Sequence, residues 1–147
     1  DKLPEEIERA QRYHRPLAVV FMDIDHFKQF NDQHGHQLGD EVLRSAAKHV
    51  ASTLRQGVDW IARYGGEEFV LVLPETPLEA AIAIAHRLCD ALHNRGAQPP
   101  GGSVYISASF GVTAYRPGED ALALLSRADT LVYQAKSAGR QQVVAGA

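Results

Sequence analysis

The apolar periodicities of this chain predict an α+β fold: a central, mostly antiparallel five-stranded sheet flanked by helices, near the ferredoxin-like plan. Three observations predict it. Helical and strand patterns follow one another in the order α, β, α, α, β, β, α, β, α, β. Leu17-Ala18-Val19-Val20-Phe21-Met22 is a continuous apolar run of the kind that forms a strand buried on both faces. Two further apolar runs flank Gly65-Gly66 as the arms of a hairpin. At 147 residues the chain is expected to form one domain, 1–147, burying about two thirds of the surface its unfolded form exposes.

Pro4 to Arg15 reads as a helix, with Ile7 and Ala10 on one side and Glu5, Glu6 and Glu8 in the first turn, where the helix dipole favours acids. The buried strand follows Pro16 and ends at Asp23. Asp25 is the expected N-cap of a short helix through Asn31-Asp32, with the N–H groups after it forming an outward-facing anion nest. Gln33 to Gly39 reads as a loop. Asp40 then opens a long helix to about Leu54, with Leu43, Ala47, Val50 and Leu54 at helical spacing.

The hairpin runs from Trp60-Ile61-Ala62 through its glycine tip to Phe69-Val70-Leu71-Val72-Leu73, and Pro74 and Pro77 end its second arm. Leu78, Ala81, Ile82, Ala85, Leu88, Cys89 and Leu92 mark an amphipathic helix, and Gly96 to Ser103 is a proline- and glycine-rich surface loop. Apolar and small polar residues alternate from Val104 to Thr113, which predicts a strand with one face on the core. Glu119 to Ala138 is the last helix, burying Leu122, Leu125, Ala128, Val132 and Ala135 and closed by Gly139; Val143-Val144 ends the chain as a short strand.

Composition narrows the function classes. The net charge is -3 with no basic stripe, which argues against a nucleic acid polymer as partner, and no apolar span approaches a membrane crossing, so no membrane contact is expected of this domain. The single cysteine, Cys89, sits in a helical apolar pattern as a core filler, and a reducing, cytoplasmic setting fits. The chain opens inside a charged helical stretch, as expected for the C-terminal part of a longer protein with an upstream sensor or dimerisation domain.

Arg63-Tyr64-Gly65-Gly66-Glu67-Glu68-Phe69 is the stretch on which function turns. Glycine supplies positive φ without strain and lets a ligand approach the backbone, while two adjacent acids repel each other at a cost that a divalent metal relieves. Asp23 ends a buried strand, and in a compact sheet its tip can neighbour that of the hairpin. Two carboxylates, a backbone carbonyl and phosphate oxygens make the oxygen shell that Mg²⁺ takes. Neighbouring residues on a strand face opposite ways, so Glu67 and Glu68 are expected to do different jobs. Lys28, Lys136 and Arg140 carry the charges a triphosphate needs. The seven histidines lack zinc-site spacing and read as loop and helix-surface residues.

Met22-Asp23-Ile24-Asp25-His26-Phe27-Lys28-Gln29-Phe30-Asn31-Asp32, Gly35-His36-Gln37-Leu38-Gly39-Asp40, the Gly-Gly-Glu-Glu-Phe hairpin, and Ala128-Asp129 with Tyr133 to Arg140 together resemble the GGDEF-domain diguanylate cyclases of bacteria, in the GGEEF variant. The resemblance implies a fold similar to the nucleotidyl cyclase core and condensation of two GTP into the signalling molecule cyclic di-GMP, with release of two pyrophosphates, by a two-fold homodimer. It implies Mg²⁺, or alternatively Mn²⁺, at Asp23, the Ile24 carbonyl and Glu67, with Glu68 beside them. Glu67, Glu68 and Lys28 form the implied catalytic set, and either glutamate could deprotonate the ribose 3′-hydroxyl. Asn31 and Asp40 would read guanine; His26, Phe27, Lys28, Lys136 and Arg140 would hold phosphates; and His36 joins the substrate-binding set.

Two departures stand out. Where the family often carries an inhibitory Arg-x-x-Asp, this chain reads Gln56-Gly57-Val58-Asp59, with Arg55 one position off, which predicts weak product inhibition there. The family's usual N-terminal motif is also absent. A second reading of the same fold is a catalytically silent domain that binds GTP or cyclic di-GMP; a third is a structural dimerisation domain.

Overall fold

The computed structural model describes residues 2–147. Its elements are α1 (Lys2–Tyr13), β1 (Leu17–Ile24), α2 (Phe27–His34), α3 (His36–Thr53), β2 (Trp60–Arg63), β3 (Glu68–Pro74), α4 (Leu78–Arg95), β4 (Ala108–Ala114), α5 (Ala121–Ser137) and β5 (Val143–Gly146). The sheet order is β2-β3-β1-β4-β5. The pairings β2·β3, β3·β1 and β1·β4 are antiparallel, and only β5 joins parallel, alongside β4. The α+β expectation and the order of elements both hold.

β1 is central, and all eight of its residues are buried. Alternation sorts them onto two layers. Ala18, Val20, Met22 and Ile24 pack with α2, α3 and α4, whereas Leu17, Val19 and Phe21 pack with α1 and α5. Asp23 continues the second set, so its carboxylate belongs to the α5 side of the sheet.

β4 departs from the expected half-exposed strand. It starts at Ala108 and is buried along almost its whole length, because β1 and β5 flank it and helices cover both faces. Its small residues serve packing: a Cβ added to Gly111 would lie 2.5 Å from the Ala128 carbonyl oxygen and 2.6 Å from the Val132 nitrogen. Glycine there lets α5 lie directly on the sheet.

The loop expected over Gln33 to Gly39 shrinks to Gly35, whose φ of 90° turns α2 straight into α3. Gly39 is a buried helical residue: a Cβ there would fall 1.7 Å from Asn31 Oδ1, so the missing side chain is the space that seats Asn31. α5 begins at Ala121, capped by the Asp120 carboxylate accepting from the Ala123 N–H at 2.8 Å. Leu122, expected in the core, points outward at 72% exposure because its position in the first turn faces away from β4. Gly139 lies one residue beyond the Ala138 C-cap.

Candidate active site

The site forms at one end of the sheet, where β1 and the β2–β3 hairpin meet. Asp23 is the cross-strand partner of Glu68, and the Ile24 N–H donates to the Glu67 carbonyl at 3.2 Å. Directly paired residues share a face of the sheet, so Asp23 and Glu68 both project towards α5, while Glu67 lies at the tip beside them. Residues separated by more than forty positions are thereby brought together.

The tip is built differently from a positive-φ turn: neither Gly65 nor Gly66 has positive φ. A Cβ on Gly65 would lie 2.7 Å from Glu68 Oε1, so that glycine makes room for the carboxylate, and Gly66 is open on all sides. Arg63 pins the turn by donating to the Gly66 carbonyl through Nη2 at 2.6 Å and Nε at 3.1 Å. The tip's carbonyls are fixed from within, leaving Glu67 and Glu68 to face outward chemistry.

The acids are held where ionisation is costly. Burial pushes the Asp23 carboxyl from 3.8 up to about 6, against the pull of the Lys136 ammonium and with help from the Glu67 and Asp25 charges. Burial also raises Glu68, followed by the charges of Asp23, Asp129 and Glu67, with Lys136 opposing. Asp129 on α5 is thus part of the site's field. Lys136 Nζ lies 3.0 Å from Asp23 Oδ1 and 3.5 Å from Asp25 Oδ1. Asp23 Oδ1 is buried, and the Lys136 ammonium beside it offsets only part of the cost of its burial.

Several acids gathered about one ammonium, with burial still raising Asp23 and Glu68, are what a hard divalent cation relieves, and the donor set is all oxygen. Among the described residues no three His, Cys, Asp or Glu side chains form a ready-made cage. A Mg²⁺ centre completed by substrate phosphates needs only one or two carboxylates. Asp23, the Ile24 carbonyl and Glu67 fit that requirement.

Asp25 is not the N-cap of α2. His26 occupies that position in left-handed backbone at φ 57°, with no side-chain cap, and the Asp25 carboxylate turns inward. Phe27 is buried as the first residue of α2, while His26, Lys28, His36 and Asp40 are exposed. Asn31 Oδ1 is buried without a partner. Asp40 lines a cavity of about 250 Å³ with Leu43, Arg44, Ala47, Arg63 and Phe69, between α3 and the hairpin. A smaller hollow of about 190 Å³ lies under α2 against Tyr105 and Ile106 and is not lined by Asp23, Glu67 or Glu68. Arg140 sits in a left-handed turn just past α5, exposed. Lys136, expected to meet phosphates, is at the carboxylates themselves.

Arg55 is engaged elsewhere. Its guanidinium grips Asp59 through Nη2 at 2.6 Å and Nε at 3.0 Å and also donates to the Pro74 carbonyl and Thr76. It works as a clip between the end of α3 and the end of β3. Cys89 is buried, with its thiol pushed up to about 11 by that burial, which suits a packing role.

Comparison with known proteins identifies the family and the fold. The family model described as "Diguanylate cyclase, GGDEF domain" matches residues 1–142. The chain is 41% identical over 143 residues to the diguanylate cyclase DgcP of Pseudomonas aeruginosa, covering 97% of this chain and 21% of that protein. Among solved structures, the GGDEF domain of DgcB from Caulobacter crescentus in complex with c-di-GMP superposes with a TM-score of 0.91 at 30% identity, covering 99% of this chain and 84% of that one. The active GGEEF domain of a diguanylate cyclase from Vibrio cholerae gives a TM-score of 0.88 at 32% identity, covering 98% of this chain and 91% of that one. The chain spans between 21% and 38% of the length of the first curated relatives it matches. On the family match and these identities, this chain belongs to the GGDEF diguanylate cyclase domain family.

Proposed function

We propose that this domain, residues 1–147, condenses two GTP molecules into cyclic di-GMP, releasing two pyrophosphates, and that it does so as one half of a two-fold dimer. The observation that carries the reading is the convergence of Asp23 with Glu67 and Glu68 across β1 and the hairpin, beside a cation on α5. Asp23, the Ile24 carbonyl and Glu67 would hold Mg²⁺ or Mn²⁺, which when bound supplies charge neutralisation for the triphosphate.

The chain's own groups do the rest. The Phe27 and Lys28 N–H groups open α2 without any side-chain cap, so they remain available to phosphate oxygens, and the Lys28 side chain adds charge from the exposed face. Lys136 stands at the carboxylates themselves, and Arg140 would reach the phosphates from the turn just past α5. Asp40 accepts from guanine's ring N–H and amino groups in the cavity it shares with Arg63 and Phe69, and Asn31, seated against Gly39, supplies a buried acceptor. His36 opens α3 beside them. Either Glu67, at the hairpin tip, or Glu68, paired across the sheet with Asp23, would take a proton from a ribose 3′-hydroxyl.

The experiment is incubation with GTP and Mg²⁺, followed by chromatography for cyclic di-GMP, with Glu68→Ala as the control. Product from the native chain and none from the variant is the expected result. Undiminished synthesis by Glu68→Ala would refute the assignment of this glutamate, and GTP binding without product would leave a silent binding domain as the function.

A further inference from the structure

Asp25 is a buried acid with no part in the reaction just described, yet more of the site is tied to it than to any neighbour. Its carboxylate is 1% exposed. It accepts from Ser107 Oγ at 2.7 Å, Ser109 Oγ at 2.6 Å and the Gln141 backbone N–H at 3.1 Å, and it stands 3.5 Å from Lys136 Nζ. We propose that Asp25 is a positioning residue: anchored by Ser107 and Ser109, it holds the Lys136 ammonium and the turn carrying Arg140 in register to receive a triphosphate.

Three features support this. The donors to Asp25 come from β4, the segment before it, and the turn after α5, so one carboxylate joins the sheet to the C-terminal cations. Arg140 and Gln141 both have positive φ, 65° and 49°, a region that side-chain-bearing residues avoid. Such a turn persists only when its surroundings fix it, and the Gln141 N–H to Asp25 bond does so together with Arg140 N–H to the Ala135 carbonyl at 3.0 Å and Phe110 N–H to the Gln142 carbonyl at 2.9 Å. Finally, the other carboxylate within ion-pair distance of Lys136 is Asp23, the residue assigned to the metal. A lysine anchored by Asp23 alone would compete with the metal for it; Asp25 gives Lys136 a second anchor that metal binding leaves untouched.

The inference rests on the cyclase reading of the same site, and the test separates the two. In Asp25→Asn the side chain keeps its shape and a serine hydroxyl can reverse to accept from the amide NH2, but the one remaining oxygen cannot serve both the Gln141 N–H, bound at Oδ2, and the Lys136 ammonium, beside Oδ1. Affinity for a non-hydrolysable GTP analogue with Mg²⁺ should fall about ten-fold or more, as for a hydrogen bond to a charged group. Affinity for guanosine, which lacks phosphates, should stay within about two-fold, since the change is confined to the phosphate side. Either loss leaves the sheet intact, so amide hydrogen exchange in β1 and β4 should stay as slow as in the native chain. Equal binding of the analogue by variant and native chain overturns the proposal, as does equal loss of analogue and guanosine. If Asp25→Asn does not fold, Ser109→Ala decides by the same ratio: a selective loss for the analogue supports the anchor, and an unchanged ratio overturns it. A native chain that binds no GTP analogue at all would overturn the cyclase reading, and this inference with it.

Discussion

Replacing Asp23 with Asn should make the fold more stable while removing its chemistry. In the native chain this residue is 8% exposed, and its carboxyl is raised from 3.8 to about 6, chiefly by burial. At 1.36 kcal/mol for each tenfold change in proton affinity, holding Asp23 ionised in the fold costs about 3 kcal/mol above pH 6. The folded value lies above the unfolded one, so the folded state binds the proton more tightly. The penalty is therefore full above the folded value, shrinks as pH falls through about 6, and is gone below 3.8. Asn carries no such penalty. For a chain of this size, about 2 to 3 kcal/mol corresponds to a rise in Tm of about 4–10 °C. Thermal unfolding of both proteins in chelator, from pH 4 to pH 8, measures it. The variant should melt higher at pH 8, and the two curves should approach each other towards pH 4. Added Mg²⁺ should then raise the native Tm and leave the variant's unchanged. A variant that melts at or below the native temperature at pH 8, or a gap that persists in acid, would refute the view that Asp23 is stored cost awaiting a cation.

Two further perturbations probe the supports of the site. Arg55→Ala strips the Asp59 carboxyl, 2% exposed, of its guanidinium while that arginine is itself half-exposed, so about 2 kcal/mol of stability should be lost, measured by urea unfolding. Because the Arg55 guanidinium is spent on Asp59, Pro74 and Thr76, cyclic di-GMP added to the native enzyme should inhibit weakly or not at all through this region, as a product titration of initial rates would record. Gly39→Ala drives a methyl into Asn31 Oδ1 and should cost about 1–3 kcal/mol by overpacking. It should also weaken guanosine binding together with GTP binding, in contrast to a change on the phosphate side.

Much of this architecture was legible because burial leaves a periodic trace. The apolar run of β1, the paired arms of the hairpin and the helical spacing of α3, α4 and α5 each follow from which faces must leave water. The misreadings come from contacts that periodicity does not record. Gly35, Gly39 and Gly111 looked like punctuation or exposed positions, yet Gly35 makes a tight turn between two helices, Gly39 makes room for Asn31 on the preceding helix, and Gly111 admits α5, seventeen and more positions along the chain. In the site, Asp23, Glu67 and Glu68 could be picked out because two acids beside glycines and one closing a buried strand are out of keeping with their surroundings. The Asp25 environment could not: its serine donors are 82 and 84 positions away, and a short-range rule makes an acid before a helix a cap. Asp129 likewise acts on Glu68 only because Gly111 lets α5 lie against β4.

The chemistry of the proposed product sets a last condition on how the domain works. In the proposed reading the substrate groups gather about one carboxylate cluster, where β1 meets the hairpin, and one adjoining base cavity, so one chain would hold one GTP. Cyclic di-GMP contains two equivalent linkages, each made when a 3′-oxygen attacks the α-phosphorus of the other nucleotide. A second loaded site must face the first, and a two-fold pair of identical chains supplies it with the fewest parts. Where the chains are mostly monomeric, the concentration of pairs rises as the square of the protein concentration. A ten-fold dilution at saturating GTP should then cut the total rate about a hundred-fold, and fusion to a dimerising coiled coil should abolish that excess loss. Initial rates proportional to protein concentration throughout, in a chain shown to be monomeric by light scattering, would mean that both linkages are made within one protomer, and the half-site reading of this cluster would fall.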